Sequence, residues 1–169
     1  EQVAKLRADG EKLQKLGMAD KAEAKMLQVL GISPDDAIAW AFVEKRFRAT
    51  NRFVDLKDLL VKAAESPRLS PEHKMQRLRE AAAIAETRLR DVDASVDVYR
   101  RMVDLDPDNA ETRTAVERIL TSAQRWDALV TYLDEETYRA SDTDRKYELL
   151  QRMADIHLLR RAACRVLFA

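Results

Sequence analysis

Apolar residues recur at intervals of three and four along almost the whole chain. In AIAWAFVEKRF, Trp40, Val43 and Phe47 fall on one face of a helix, and Leu56, Leu59, Leu60 and Ala63 do the same in the next block. No block shows the strict alternation of a half-buried strand. The pattern predicts nine helices, at about 2–16, 19–30, 35–50, 53–65, 71–89, 92–104, 109–122, 126–139 and 143–163. Short punctuated segments separate them. Asp35 and Asp36 follow Pro34, and Asp108 and Asn109 follow Pro107, where they can accept hydrogen bonds from the free amides of the next helix. Ser70, Pro71 and Glu72 supply a cap, a first-turn proline and an acidic residue at another helix start. Gly17 and Gly31 are each expected just past a helix end, in a left-handed turn.

The punctuation repeats. Pro34 and Pro107 are 73 residues apart, and the same shift sets Leu16 on Leu89, Ala37 on Ala110, Arg52 on Arg125, Phe53 on Trp126, Leu56 on Leu129 and Leu60 on Leu133. A shift of 72 sets Lys74 on Lys146, Leu78 on Leu150, Ala82 on Ala154 and Ile84 on Ile156. Half of this period, roughly 36 residues, is the length of one helical hairpin. The hairpins expected are 1–34, 35–70, 71–107 and 108–141, with a partial one at 142–169, all in a single repeat domain.

These spacings resemble the tetratricopeptide repeat in divergent form, over essentially the whole chain. The residues that carry the resemblance are Leu6, Gly10, Leu13, Ala22, Met26, Val29 and Pro34 in the first hairpin, and Trp40, Val43, Phe47, Leu56, Leu60 and Ala63 in the second. The third ends in Ser95, Tyr99, Met102 and Pro107, and the fourth keeps Val116, Leu120, Leu129 and Leu133. The chain departs from the signature at Asp9, where a large apolar residue belongs, and at Glu44, Glu117 and Glu136, which take positions of small residues. The resemblance implies an all-α, right-handed α-solenoid of about four and a half hairpins, with a concave face lined by the first helix of each pair.

Composition agrees with helices. Alanine numbers 25, whereas Gly numbers 3 and Pro 4, too few for the turns of an all-β fold. Lys plus Arg and Asp plus Glu both total 30, so no net positive field exists to hold a polyanion and nucleic acid is not an expected partner. Arg outnumbers Lys 20 to 10, which with the alanine content fits a GC-rich bacterial source. The longest apolar run, Ala37 to Val43, is far short of the ~20 residues that span a bilayer, so a soluble chain without membrane insertion is expected. The lone Cys164 rules out an internal disulfide; localisation stays open, with the cytoplasm favoured. The sequence starts at Glu1 with no Met and no charged-then-apolar secretory segment, so removal of the natural N-terminus and of any targeting signal is expected.

Catalytic chemistry has little to work with. His73 and His157 lack companion ligands at metal-binding spacing, and no cofactor, metal or catalytic residue is expected. Cys164, beside Ala162 and Ala163, reads as a small buried hydrophobe. The three glycines are separated by helical sequence and form no phosphate loop. Asp134 to Glu136 reads as a solvated helix face, and Trp40, Phe47 and Trp126 read as core.

Binding remains. The resemblance implies groove positions at Ala4, Arg7 and Glu11; at Ile38, Ala41, Lys45 and Arg48; at Arg77, Glu80 and Ile84; and at Glu111, Thr114, Arg118 and Thr121. Five are basic, namely Arg7, Lys45, Arg48, Arg77 and Arg118, which suits an acidic or C-terminal-carboxylate peptide. Ordinary solvated charges paired along the helices are the competing reading. The Lys and Asn clamp by which some tetratricopeptide domains grip chaperone tails is not expected, because Glu11 and Phe42 stand at its Asn positions. The function expected is a non-enzymatic scaffold that binds a peptide or protein segment. The alternative is a homo-oligomerisation or spacer segment that positions other domains. The final helix carries Tyr147, Leu150, Met153, Ala154 and Ile156 with little to pair with, so a longer protein or docking on a second copy is expected.

Overall fold

A computed structural model describes the backbone of residues 1–167 and the side chains of residues 1–158. Among the described residues the regular structure is entirely helical: α1 (Gln2–Lys15), α2 (Ala19–Ile32), α3 (Ala37–Ala49), α4 (Phe53–Ala64), α5 (Pro71–Ile84), α6 (Val92–Leu105), α7 (Ala110–Ser122), α8 (Trp126–Arg139) and α9 (Thr143–Leu167). The starts and ends fall within a few residues of those the apolar periodicity predicts. One difference is that α5 does not run to Leu89 as a plain α-helix but closes in a π-helical turn, Ala85–Leu89.

Each helix packs on the next in chain order, α1 to α6 in a first compact unit (Glu1–Asn109) and α7 to α9 in a second that begins at Ala110. In the first unit the buried positions are those the helical period selects: Ala22, Met26, Val29 and Leu30 on α2, Trp40, Val43 and Phe47 on α3, Leu56 and Leu60 on α4, Leu78 and Ala82 on α5, Val98 and Met102 on α6. In the second, Val116 and Leu120 meet Leu129 and Leu133. Val43 and Val116, Phe47 and Leu120, Leu56 and Leu129, and Leu60 and Leu133 are all buried 73 residues apart, so the shift seen in the sequence is a shift in burial too.

The turns keep the same period. Three hairpins end their first helix in a Schellman motif: Met18 N–H donates to Leu13 O and Gly17 N–H to Gln14 O, with the same pair at Arg52 to Phe47 and Asn51 to Arg48, and again at Arg125 to Leu120 and Gln124 to Thr121. The left-handed residues are Gly17 (φ 73), Asn51 (φ 55) and Gln124 (φ 56). The third hairpin differs. Arg90 (φ 51) is left-handed there, but Asp91 N–H reaches back six residues to Ala85 O, past the π turn. Gly31, expected in this role, instead lies inside the last turn of α2 and outside the left-handed region. Helix α2 continues to Ile32, and Ser33 N–H closes it on Val29 O.

Between hairpins, Asp36 caps α3 by accepting from Ala39 N–H at 2.9 Å, and Ser70 caps α5 by accepting from His73 N–H at 3.3 Å. Asp35 does not cap; it accepts from Ser33 Oγ. The turns around Pro34 and Pro107 share a bond, Asp36 N–H to Ser33 O and Asn109 N–H to Asp106 O. At Gly10 a Cβ would stand 2.9 Å from Met26 Cε, so the flexible end of Met26 on α2 occupies the space that a side chain on α1 would take.

Three expectations are corrected. Trp126 is half-buried, like Phe53 at the matching position, because both stand at the first residue of a helix with one flank open. Glu136 is buried, not on a solvated face. The 72-residue shift carries burial into α9 only in part: Ile84 and Ile156 are both buried, but Leu78 and Ala82 are buried where Leu150 and Ala154 are exposed, and the buried stripe of α9 is Leu149, Met153 and Ile156. Within the second unit α9 packs on α8 and reaches α7 through Arg152 and Glu117, and its described side chains bury fewer positions than those of α5, which packs on both α4 and α6. Cys164 lies outside the residues whose side chains are described.

Candidate functional site: the exposed face of α3 and its neighbours

Helix α3 turns Trp40, Val43 and Phe47 inward, so the opposite face presents Ile38, Ala41, Lys45 and Arg48 to solvent. These are the four positions assigned to the groove on α3. Lys45 is exposed and has no ion-pair or hydrogen-bond partner among the described residues. Arg48 is exposed and grips Glu44 one turn earlier with Nε at 2.9 Å and Nη2 at 2.7 Å. A partner carboxylate would therefore compete with Glu44 for Arg48 but meet Lys45 directly.

The remaining basic candidates are placed differently. Arg7 of α1 donates to the Asp36 carboxylate at 2.5 Å, tying the first helix to the cap of α3. Arg77 of α5 lies over the Trp40 ring with its guanidinium carbon 4.1 Å from the centroid, and it reaches Glu80 at 3.4 Å. Ile84, assigned to the groove, is in the core. Arg118 is exposed on α7, in the second unit, together with Glu111, Thr114 and Thr121. Within the first unit the structure thus brings Lys45 and Arg48 together on one open face, while Arg7 and Arg77 already hold local partners.

Charged contacts that the sequence did not announce are built on buried carboxylates. Glu23 of α2 accepts from Arg46 Nε at 2.6 Å and from Arg52 Nη1 at 2.6 Å, while Arg46 also binds Asp20. Arg52 covers the Phe47 ring at 4.3 Å. Hydrogen bonds to Glu23 and then Asp55 hold the Arg52 guanidinium above its ordinary value, and bonds to Asp97 and then Glu65 do the same for Arg101, so both are fixed cations. In the second unit Glu117 pairs with Arg152 of α9, and Glu136 lies near Arg113 and Arg139. Glu117 and Glu136, departures from the small residues of the repeat signature, are therefore sites where an arginine on a neighbouring helix replaces apolar packing. Their signal in the sequence was the departure itself.

Among the described residues no group of three or more metal-ligating side chains converges, and His73 and His157 are both exposed. No described helix is long and apolar enough to cross a membrane.

The helix order, the recurring Schellman turns and the 73-residue burial period define an all-α fold of tetratricopeptide-like helical hairpins. No protein-family model matches the chain, and no curated protein does. Among solved structures it is similar to a tetratricopeptide repeat protein from Parabacteroides merdae ATCC 43184, at 12% identity and a TM-score of 0.42, over 91% of this chain and 60% of that one. The chain thus spans 60% of the length of that structure.

Proposed function

We propose that the chain is a non-enzymatic scaffold that binds a protein segment on the exposed face of α3. The observation that carries this reading is the stripe Ile38, Ala41, Lys45 and Arg48, in which apolar and basic side chains stand in line and Lys45 is uncommitted. Such a stripe suits a segment with an acidic residue beside an apolar one: the carboxylate meets Lys45 and Arg48, and the apolar residue covers Ile38, which is 47% exposed. Zero net charge argues against a polyanion as the occupant.

A phage-displayed library of random peptides selected on the chain tests it. Acidic peptides are expected to be enriched, and to lose binding to a Lys45→Glu, Arg48→Glu variant of unchanged helical circular dichroism. Enrichment of peptides without acidic residues, or equal binding to the variant, contradicts the reading.

A second reading has its own support. Tyr147, Leu150 and Leu158 on α9 are 69%, 52% and 63% exposed, at spacings that place them along one side of the helix, so self-association through α9 is the alternative. Light scattering that shows a strict monomer at high concentration removes it.

A further inference from the structure

Away from the exposed face of α3, the first unit holds an open cavity of about 400 Å³ between the C-terminal halves of α2 and α4. Leu27, Leu30 and Gly31 of α2, Trp40 of α3, and Leu59 and Lys62 of α4 line it. The corresponding cleft one hairpin further on, about 280 Å³ between α4, α5 and α6, is lined by Glu65, Lys74, Arg101 and Asp104, and Arg101 bridges to Glu65 at 2.6 Å. There Arg101 is committed to Glu65, whereas the Lys74 side chain has no hydrogen-bond or ion-pair partner among the described residues. In the first cavity the ionisable lining residue is Lys62, which has no hydrogen-bond or ion-pair partner among the described residues. Asp58, one turn earlier on α4, is held by Lys57 at 2.7 Å, so it does not neutralise Lys62.

Two features mark the cavity as built. The first is its wall. Trp40 Nε1–H donates to Pro34 O at 2.7 Å and Arg77 lies on the ring, so the indole is fixed before anything binds. The second is Gly31. It sits in the last turn of α2, outside the left-handed region, and a Cβ there would meet nothing within 4 Å. Glycine is the least favourable helix residue after proline, and here neither backbone conformation nor packing requires it. Its visible consequence is that the position of a Gly31 side chain at the edge of the cavity is empty, with Arg68 donating to the carbonyl of Ile32 beside it.

We propose that this cavity is an anchor pocket for one large apolar side chain of a bound protein segment, with a carboxylate next to that side chain paired to Lys62. It deepens the scaffold reading, on which it rests, by adding a second contact apart from the α3 stripe. A volume near the lower end of ligand pockets, which run from roughly 300 to 1,000 Å³, suits one side chain rather than an extended ligand.

The test uses the full chain, labelled with ¹⁵N and titrated with N-acetyl-phenylalanine. The Trp40 indole N–H and the amides of Gly31 and Lys62 are expected to shift together, with a Kd on the order of 1 mM. N-acetyl-phenylalaninamide, which lacks the carboxylate, is expected to bind about 3-fold weaker, and Lys62→Ala to remove that difference. Gly31→Leu, compatible with the helix and checked for unchanged or higher thermal stability, is expected to abolish the shifts. Absence of shifts at ten times the expected Kd, or the same binding in Gly31→Leu, overturns the pocket; equal binding of the two probes overturns the role of Lys62. Neither result depends on Lys45 or Arg48, so failure here is separable from failure of the α3 reading.

Discussion

Arg77 of α5 stacks on Trp40 of α3, its guanidinium carbon 4.1 Å from the ring centroid, and its side chain is only 19% exposed. A residue assigned by repeat position to the binding face thus joins two successive hairpins. Arg77→Ala should destabilise the fold by about 1 kcal/mol through lost cation–π attraction and lost packing of the arginine stem. In a Trp126→Phe background, which leaves Trp40 as the sole tryptophan, denaturant unfolding followed by fluorescence should show a lower midpoint and altered native emission. Native emission identical to that of the parent would mean that the stacking does not persist in solution.

The left-handed turn residues give a prediction of opposite sign. Arg90 holds φ 51 and is exposed, with no partner among the described residues to lose. Arg90→Gly should therefore stabilise the protein, by about 0.5–1 kcal/mol, because glycine adopts this conformation without the Cβ penalty. Gly17→Ala should cost about 1 kcal/mol at φ 73, although nothing crowds the site. Thermal melts of the two variants should move in opposite directions, and movement in the same direction would contradict the turn assignment.

Glu117, buried on α7, pairs with Arg152 of α9, whose side chain is 53% exposed. Solvent screening on the arginine side limits the worth of the pair, so a double-mutant cycle with Glu117→Ala and Arg152→Ala should give a coupling of about 1 kcal/mol that falls with added salt. Zero coupling at low salt would show that α9 is not held to α7 by this contact.

Adjacent residues on α9 should behave oppositely. Leu149 is 1% exposed and Leu150 is 52% exposed. Leu149→Ala should cost about 2–4 kcal/mol and Leu150→Ala less than about 0.5 kcal/mol. If Leu150→Ala is the costly one, α9 is rotated, and the stripe formed by Tyr147, Leu150 and Leu158 faces the core instead.

Most of the fold was legible in the sequence because helices announce themselves through apolar spacing, and this chain repeats that spacing. Val43 and Val116 occupy the same buried position, and Pro34 and Pro107 mark the same turn. What failed to read through depends on neighbours rather than on period. The sequence alignment set Leu78 on Leu150, whereas burial sets it on Leu149, because the partner of a helix determines which residues beside the seam are covered. Gly31 resembled a helix stop, yet its conformation is helical and its place at a cavity mouth was invisible in one dimension. The exposed face of α3 was partly legible. Residue type and register put Lys45 and Arg48 on one face, but only coordinates show that Arg7 is bound to Asp36 and that Arg77 lies on Trp40.

The most direct test of the scaffold reading is hydrogen exchange of the chain with and without an acidic peptide selected on it. Slower exchange concentrated in α3, from Ile38 to Arg48, and lost in the Lys45→Glu, Arg48→Glu variant is the predicted result. Protection confined to α8 and α9, or protection unchanged in the variant, would contradict it.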